Sequence, residues 1–267
     1  LIPDDGGRLP FALSLSGTET FSFNLLSVAP GDPVKTVGSE IRVNGGELIV
    51  DLAHLSVDDD WQLQHSIFLT PASAMLDAAL DMLVTHPATQ SSSRILGRTL
   101  TGLFNSAIEP ENDGDPFHSK IMKILHRFIR AVRNGAINTA GTELTSLVGL
   151  GWGLTPSGDD IITGILSAWH FDRSAGRQAF EKKAIIQRLK TAYRGRTTRV
   201  AEEYLFHALA GRFSDRVRDF TLTLAAGEAD QVIDSGSSLF RFGASSGTDT
   251  GLGILIGLKL LSEYSRP

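Results

Sequence analysis

The chain has 267 residues, 42% of them apolar and 21% charged, with a formal net charge of −5. That composition is ordinary for a globular protein and excludes a disordered chain or a general nucleic-acid binder, which would carry a basic domain. There is no cysteine, so disulfides and thiol chemistry are excluded, which fits the cytoplasm. No apolar run reaches the roughly 18 residues of a membrane span, and no signal peptide is read at the start.

The first stretch reads as strands. Phe11, Leu13 and Leu15, then Phe21, Phe23 and Leu25, alternate with small or polar residues around a Gly17-Thr18-Glu19 turn. Glu40–Val43 and Glu47–Leu52 flank Asn44-Gly45-Gly46, a hairpin signal because Asn-Gly tolerates positive φ. Pro30, Gly31 and Pro33 mark a loop. The acidic run Val57–Trp61 reads as a solvated loop rather than a metal site.

From about Pro71 the period becomes helical, through Met75, Leu76, Ala79, Leu80 and Leu83, with a weaker helix over Ser91–Ser106. Asn112–Asp115 resembles a calcium loop in composition but lacks the downstream ligand spacing. Phe117–Arg133 is amphipathic, with Ile121, Ile124, Leu125, Phe128 and Val132 on one face and Lys120, Lys123, Arg127 and Arg130 on another. That basic stripe reads as a solvated face or a subunit contact. His118 and His126 beside it read as surface or core histidines. Further helices are expected over Thr139–Val148, Arg177–Tyr193, Thr197–Ala210, Ser214–Ala225 and Asp230–Ser238. The expected fold class is α+β: a small antiparallel β-rich N-terminal region, residues 1–70, followed by a larger mostly α-helical domain, residues 71–267.

Two stretches of that helical region match each other. Ser246-Gly-Thr-Asp-Thr-Gly-Leu-Gly-Ile-Leu255 aligns without a gap on Ser157-Gly-Asp-Asp-Ile-Ile-Thr-Gly-Ile-Leu166, and each follows a Gly- and Ser-rich loop. In the first copy Pro156 delays the helix, Ser157 is a suitable N-cap, and Asp159 and Asp160 fall in the first turn, where the helix dipole favours negative charge. Gly164 and Ala168, like Gly253 and Gly257, lie four apart, a spacing that lets two helices approach closely. The two helices are therefore expected to cross there and to bring both loops to one composite site.

Gly153–Gly158 has the glycine spacing of a nucleotide-binding loop, but Asp159 and Asp160 stand where Lys and Ser or Thr would follow. A bare phosphate would be repelled. A hard cation between the acids and an anionic ligand resolves the conflict, because Mg²⁺ is commonly held by one or two carboxylates with waters and phosphate oxygens. Asp160 and Asp249 are the first-choice ligands, Asp159 and Thr248 the second; simple helix capping by the acids is the alternative. Candidate anion-binding groups are Gly151, Gly153, Thr155, Ser157 and Gly158 of the first loop and Ser245, Ser246 and Gly247 of the second. Thr197, Thr198 and Arg199 open another helix and suit a phosphate or carboxylate, with simple capping by Thr197 the alternative and Arg241 a further contact. No general base is apparent.

The motifs G-L-G-W-G-L-T-P-S-G-D-D, T-T-R-V-A-E-E-Y-L-F-H-A and G-A-S-S-G-T-D-T-G-L-G occur in that order in the second half of the chain. Together they resemble the bacterial family of the AllH-type subunit of oxamate carbamoyltransferase. The resemblance implies a subunit of a multi-subunit, Mg²⁺-using enzyme of anaerobic allantoin degradation and purine nitrogen use. Such an enzyme interconverts oxalurate plus phosphate with oxamate plus carbamoyl phosphate, and this subunit has partner subunits. Family members often carry Pro at the position of Trp152 and His at that of Ala244, and the latter departure removes a possible acid–base group. Two other classes remain open: a Mg²⁺-dependent hydrolase of the ADP-ribosyl-hydrolase type, faintly resembled by Thr248-Asp249-Thr250, and a non-catalytic anion-binding assembly subunit.

Overall fold

The computed structural model describes residues 2–3, 14–15, 32–46, 48–53, 76–77, 116–172, 177–226 and 229–264. The chain divides into two compact units, residues 1–8 with 12–64 and residues 9–11 with 65–267.

The smaller unit holds the strands. Strand β1 (Ile2–Pro3) pairs in parallel with β2 (Ser14–Leu15). Strands β3 (Val34–Val37), β4 (Glu40–Val43) and β5 (Leu48–Asp51) form an antiparallel sheet in that order. The β4–β5 turn is the expected one: Asn44, Gly45 and Gly46 all have positive φ, which places Val43 opposite Leu48. Strand β3 falls just beyond the proline-rich loop and pairs with β4 through Gly38-Ser39, a hairpin not anticipated from the sequence. The alternating segment Phe11–Leu25, apart from Ser14 and Leu15, lies outside the described residues. So do the acidic run at 57–61, the loop at 112–115 and the helices expected from Pro71 and over 91–106, apart from Leu76 and Asp77, which are helical.

The larger unit contains eight helices among the described residues: α1 (Pro116–Arg133), α2 (Ile137–Ser146), α3 (Ser157–Phe171), α4 (Arg177–Ala192), α5 (Arg199–Leu209), α6 (Asp215–Ala226), α7 (Ala229–Phe240) and α8 (Ser246–Tyr264). Amphipathic helices surround two that are apolar on every side. In α1, Ile121, Ile124, Leu125, Phe128 and Val132 are buried. Its basic stripe is exposed, and Arg127 forms a paired ion contact with Glu143 at 2.8 and 2.9 Å; that exposure suits a solvated face and a subunit contact alike. By contrast every residue from Ile161 to Trp169 of α3, and from Gly251 to Leu258 of α8, is buried. A helix apolar all round belongs in the centre. Helices α3 and α8 pack chiefly on each other, with α1, α5, α6 and α7 around them and α2 between α1 and α4. No helix among the described residues is long and apolar enough to cross a membrane.

The contact between α3 and α8 is backbone on backbone. A Cβ at Gly164 would lie 2.1 Å from the Thr250 carbonyl oxygen, and one at Gly253 would lie 2.1 Å from the Ile161 carbonyl oxygen. Those contacts are mirror copies, because each residue of the first repeat corresponds to the residue 89 positions later. Further along, Gly257 faces its own equivalent, Ala168, where an added Cβ would come within 2.6 Å of the alanine methyl. Like meets like, as in an isologous interface. The two helices therefore run side by side in one direction, with both N-termini at the same end.

Gly164→Ala or Gly253→Ala would force the pair apart. Overpacking of a tight core costs about 1–3 kcal/mol, so chemical denaturation of either variant should show a loss of at least that size.

Candidate functional site

Each repeat reaches its helix by the same local route. In the first, Leu150 N–H donates to Leu147 O (3.0 Å) and Gly158 N–H to Leu150 O (2.8 Å); in the second, Phe242 N–H donates to Leu239 O (2.9 Å) and Gly247 N–H to Phe242 O (3.0 Å). Gly158 and Gly247, expected among the ligand-binding residues, are buried against those turns. An added Cβ would meet Leu147 O at 2.0 Å and Leu239 O at 1.9 Å. Only glycine lets loop and helix close this tightly.

The acids that follow are exchanged between the repeats. Asp160 is hydrogen-bonded by Ser246 and Thr155, and Asp249 by Ser157 and Ser245. The serine opening each helix thus serves the carboxylate of the other. Thr155 Oγ1 and Ser246 Oγ lie 2.6 Å apart and close the first loop onto the second helix. Ser157 is therefore not the N-cap expected from the sequence. That position is taken by Pro156, which gives no side-chain cap, because the Ser157 hydroxyl has a carboxylate of the facing helix within reach.

One oxygen of each acid, Asp160 Oδ2 and Asp249 Oδ2, is buried without a hydrogen-bond partner. Burial pushes Asp160 up to about 8, helped by the charges of Asp249 and Asp159 and opposed by the hydroxyls of Ser246 and Thr155. Asp249 is also raised by burial, against the hydroxyls of Ser157 and Ser245 and the positive charge of His118. Two carboxyl groups are thus held where neither ionises easily, the usual signature of a site that awaits a positive charge or a proton.

Asp159 has a different place. It is 2% exposed, and both its oxygens accept the Gly149 N–H, at 3.1 and 3.2 Å, while Oδ2 also accepts from Thr197 Oγ1 at 2.6 Å. Gly149 has φ +73°, and a Cβ there would lie 2.1 Å from the Arg196 carbonyl oxygen. The Thr198 hydroxyl donates to the Leu154 carbonyl and accepts from Ala201 N–H at 3.1 Å, so Thr198 caps α5. Asp159, Thr197 and Thr198 clasp the first loop to α5. Burial raises Asp159 to about 6, with Thr197 and Gly149 pulling the other way.

The remaining expected residues are scattered around this centre. Gly151 turns beneath Ser157, with φ +135° and an added Cβ 2.5 Å from Ser157 N. Gly153, Arg199 and Ser245 are exposed. Thr248 holds the repeat position of Asp159. Arg241 is exposed and donates to the Ser237 carbonyl at 3.0 Å. Two neighbours of the acids carried no signal in the sequence. Tyr204 of α5 is raised to about 12 by burial and by the charge of Asp160, and His118 of α1 lies close enough to influence Asp249. Both come from helices distant in the chain from the acids; Tyr204 lies within the T-T-R-V-A-E-E-Y-L-F-H-A motif, but no sequence spacing ties either residue to Asp160 or Asp249. Among the described residues no three His, Cys, Asp or Glu side chains cluster as a ready-made metal site. Any cation held here would rest on the two orphaned carboxylate oxygens, with its remaining ligands from water or substrate.

The acids carry a stability cost with a definite pH dependence. Asp160 releases its proton in the unfolded chain near 3.8 but in the folded one only near 8. Across that window the native state binds more protons, so stability falls as pH rises and the full penalty is present above about pH 8. Asp160→Asn should therefore raise the melting temperature at pH 8 by several degrees and leave it nearly unchanged at pH 4. Thr197→Val removes one partner of buried Asp159 and should cost about 1–3 kcal/mol, read from denaturation at neutral pH.

No solved structure matches the chain. Its glycine loops, their acids and the α5 clasp all fall within residues 147–258, which match the family model described as oxamate carbamoyltransferase subunit AllH. That segment is therefore similar to the family that the three motifs resemble.

Proposed function

We propose that the chain acts as a subunit of a cytoplasmic carbamoyltransferase that interconverts oxalurate plus phosphate with oxamate plus carbamoyl phosphate in anaerobic allantoin use, with Mg²⁺ at the Asp160–Asp249 pair. The observation that carries this reading is the exchanged acid pair, with one orphaned buried oxygen on each carboxylate at the meeting point of two helix N-termini, within a segment similar to the AllH family. The two orphaned carboxylate oxygens fit Mg²⁺, a hard cation that takes oxygen ligands, and hydroxyls orient both acids.

Bound there, Mg²⁺ would neutralise the two acids and the phosphate charge. The chain's own groups have complementary tasks. Asp160 Oδ2 and Asp249 Oδ2 would hold the cation. The hydroxyls of Ser157, Ser245, Ser246 and Thr155 orient the two carboxylates and can turn toward an oxyanion. The first-turn N–H groups of α3 and α8 carry the positive end of each helix dipole toward the same place, which favours an anion. Arg199 at the exposed start of α5 suits the carboxylate of oxamate or oxalurate. Asp159 has no such task, since Gly149 and Thr197 already occupy it. Catalysis in this arrangement is positioning and charge stabilisation.

Mg²⁺ and carbamoyl phosphate together should raise the melting temperature of the chain, by an amount that grows with ligand concentration as RT ln(1 + [L]/Kd). Asp160→Ala and Asp249→Ala should each abolish the shift while remaining folded. Absence of any shift in the wild-type chain, or a shift that survives both substitutions, would overturn the reading.

A further inference from the structure

The two repeats are symmetric at their acids and unequal at their loops. Eleven positions separate Leu147 from Gly158, against eight between the equivalent Leu239 and Gly247. The three additional residues are Trp152, Gly153 and Leu154, all exposed. Trp152 at 72% and Leu154 at 70% are the most exposed large apolar side chains among the described residues.

This tip is fastened outward. The Trp152 ring stands edge-on against Phe117, with centroids 4.7 Å apart, and the Leu154 carbonyl is held by the Thr198 hydroxyl. Next to that anchor, at the start of α5, Val200 is exposed, as are Arg194, Arg196 and Arg199. The Arg196 backbone packs directly on Gly149 of the same loop. Exposed apolar side chains at the tip thus adjoin an arginine-rich segment, in which Arg194 lies over the Phe206 ring at 5.7 Å and Arg196 donates to the Ala192 carbonyl at 3.3 Å, on a chain whose net charge is −5. Trp and Arg with an apolar neighbour are the residues that dominate protein–protein hot spots.

From this geometry we infer that the Trp152–Leu154 tip and the arginines at and just before the start of α5 form the docking surface for a different protein subunit, one presenting an apolar pocket rimmed by carboxylates. Taking that partner to be another subunit of the carbamoyltransferase rests on the proposed function above. Charge selects the occupant. A second copy of this chain docking here by twofold symmetry would set arginines against arginines, whereas an acidic rim is complementary. The surface is also continuous with the candidate site: Thr155, the residue after Leu154, bonds both Asp160 and Ser246.

Because the chain has no cysteine, the contact can be mapped without background. The full chain is co-expressed with the remaining subunits of its carbamoyltransferase and purified through a tag. Leu154→Cys labelled with a photoreactive maleimide should cross-link to a partner subunit, and Lys190→Cys, exposed on α4, should not. The double variant Leu154→Asp, Arg196→Glu should retain at least tenfold less partner, with a melting temperature within about two degrees of wild type. Wild-type chain that purifies alone, a double variant that keeps its partner, or a cross-link at 154 to a second copy or to nothing, overturns the inference. The two readings fail separately. A complex that is lost in the double variant but makes no carbamoyl phosphate from oxalurate and phosphate leaves the docking surface and removes the reaction. A double variant with full transfer activity does the reverse.

Discussion

Everything at the candidate site depends on the contact between α3 and α8, where two helix backbones touch without side chains between them. Gly164 and Gly253 each lie against a carbonyl oxygen of the other helix. This closeness is what allows a serine at the start of one helix to reach a carboxylate one turn into the other. A side chain at the crossing would separate the axes, and the exchange of Ser157 to Asp249 and Ser246 to Asp160 would open. The glycines thus convert a packing problem into a site geometry.

The surrounding structure serves that pair. Helices α3 and α8 are buried on every side along most of their length, so the remaining helices must enclose them; Ser167 and Thr221 satisfy each other deep in the core at 2.7 Å, while the acids lie at the N-terminal ends. There the positive ends of the two helix dipoles meet, with several first-turn N–H groups donating to loop carbonyls, while the acids have pKa values raised by burial. Holding carboxylates where they ionise poorly opposes folding, and such strain at a functional centre is compensated by the core beneath it. Asp159 shows how neighbouring acids can differ. One residue before Asp160, it is turned to the loop by Gly149 and Thr197 and holds the scaffold rather than the centre.

Approximate twofold symmetry explains the composition of the site, and its breaking explains the surface. The repeats supply the same Ser-Gly-x-Asp core, but the first has a longer loop and a clasp to α5, whereas the second carries Thr248 where the first has Asp159. The added residues all project to solvent. A symmetric pocket therefore acquires one distinct side.

Much of this was legible in the residues. The repeat, the Gly164 and Gly253 spacing, the expected crossing and the choice of Asp160 and Asp249 all follow from pattern, because helical period and small-residue spacing are local properties of the chain. Six helices and the Asn44-Gly45-Gly46 turn were readable for the same reason. What tertiary structure alone decided was which hydroxyl meets which acid. Ser157 reads as a cap in its own helix and serves the other one; Asp159 reads as a ligand and fastens a loop; Tyr204 and His118 carry no local signature and arrive beside the acids from α5 and α1. Side-chain hydrogen bonds between segments 38 to 91 residues apart are set by how whole helices pack, and no window of sequence contains both partners.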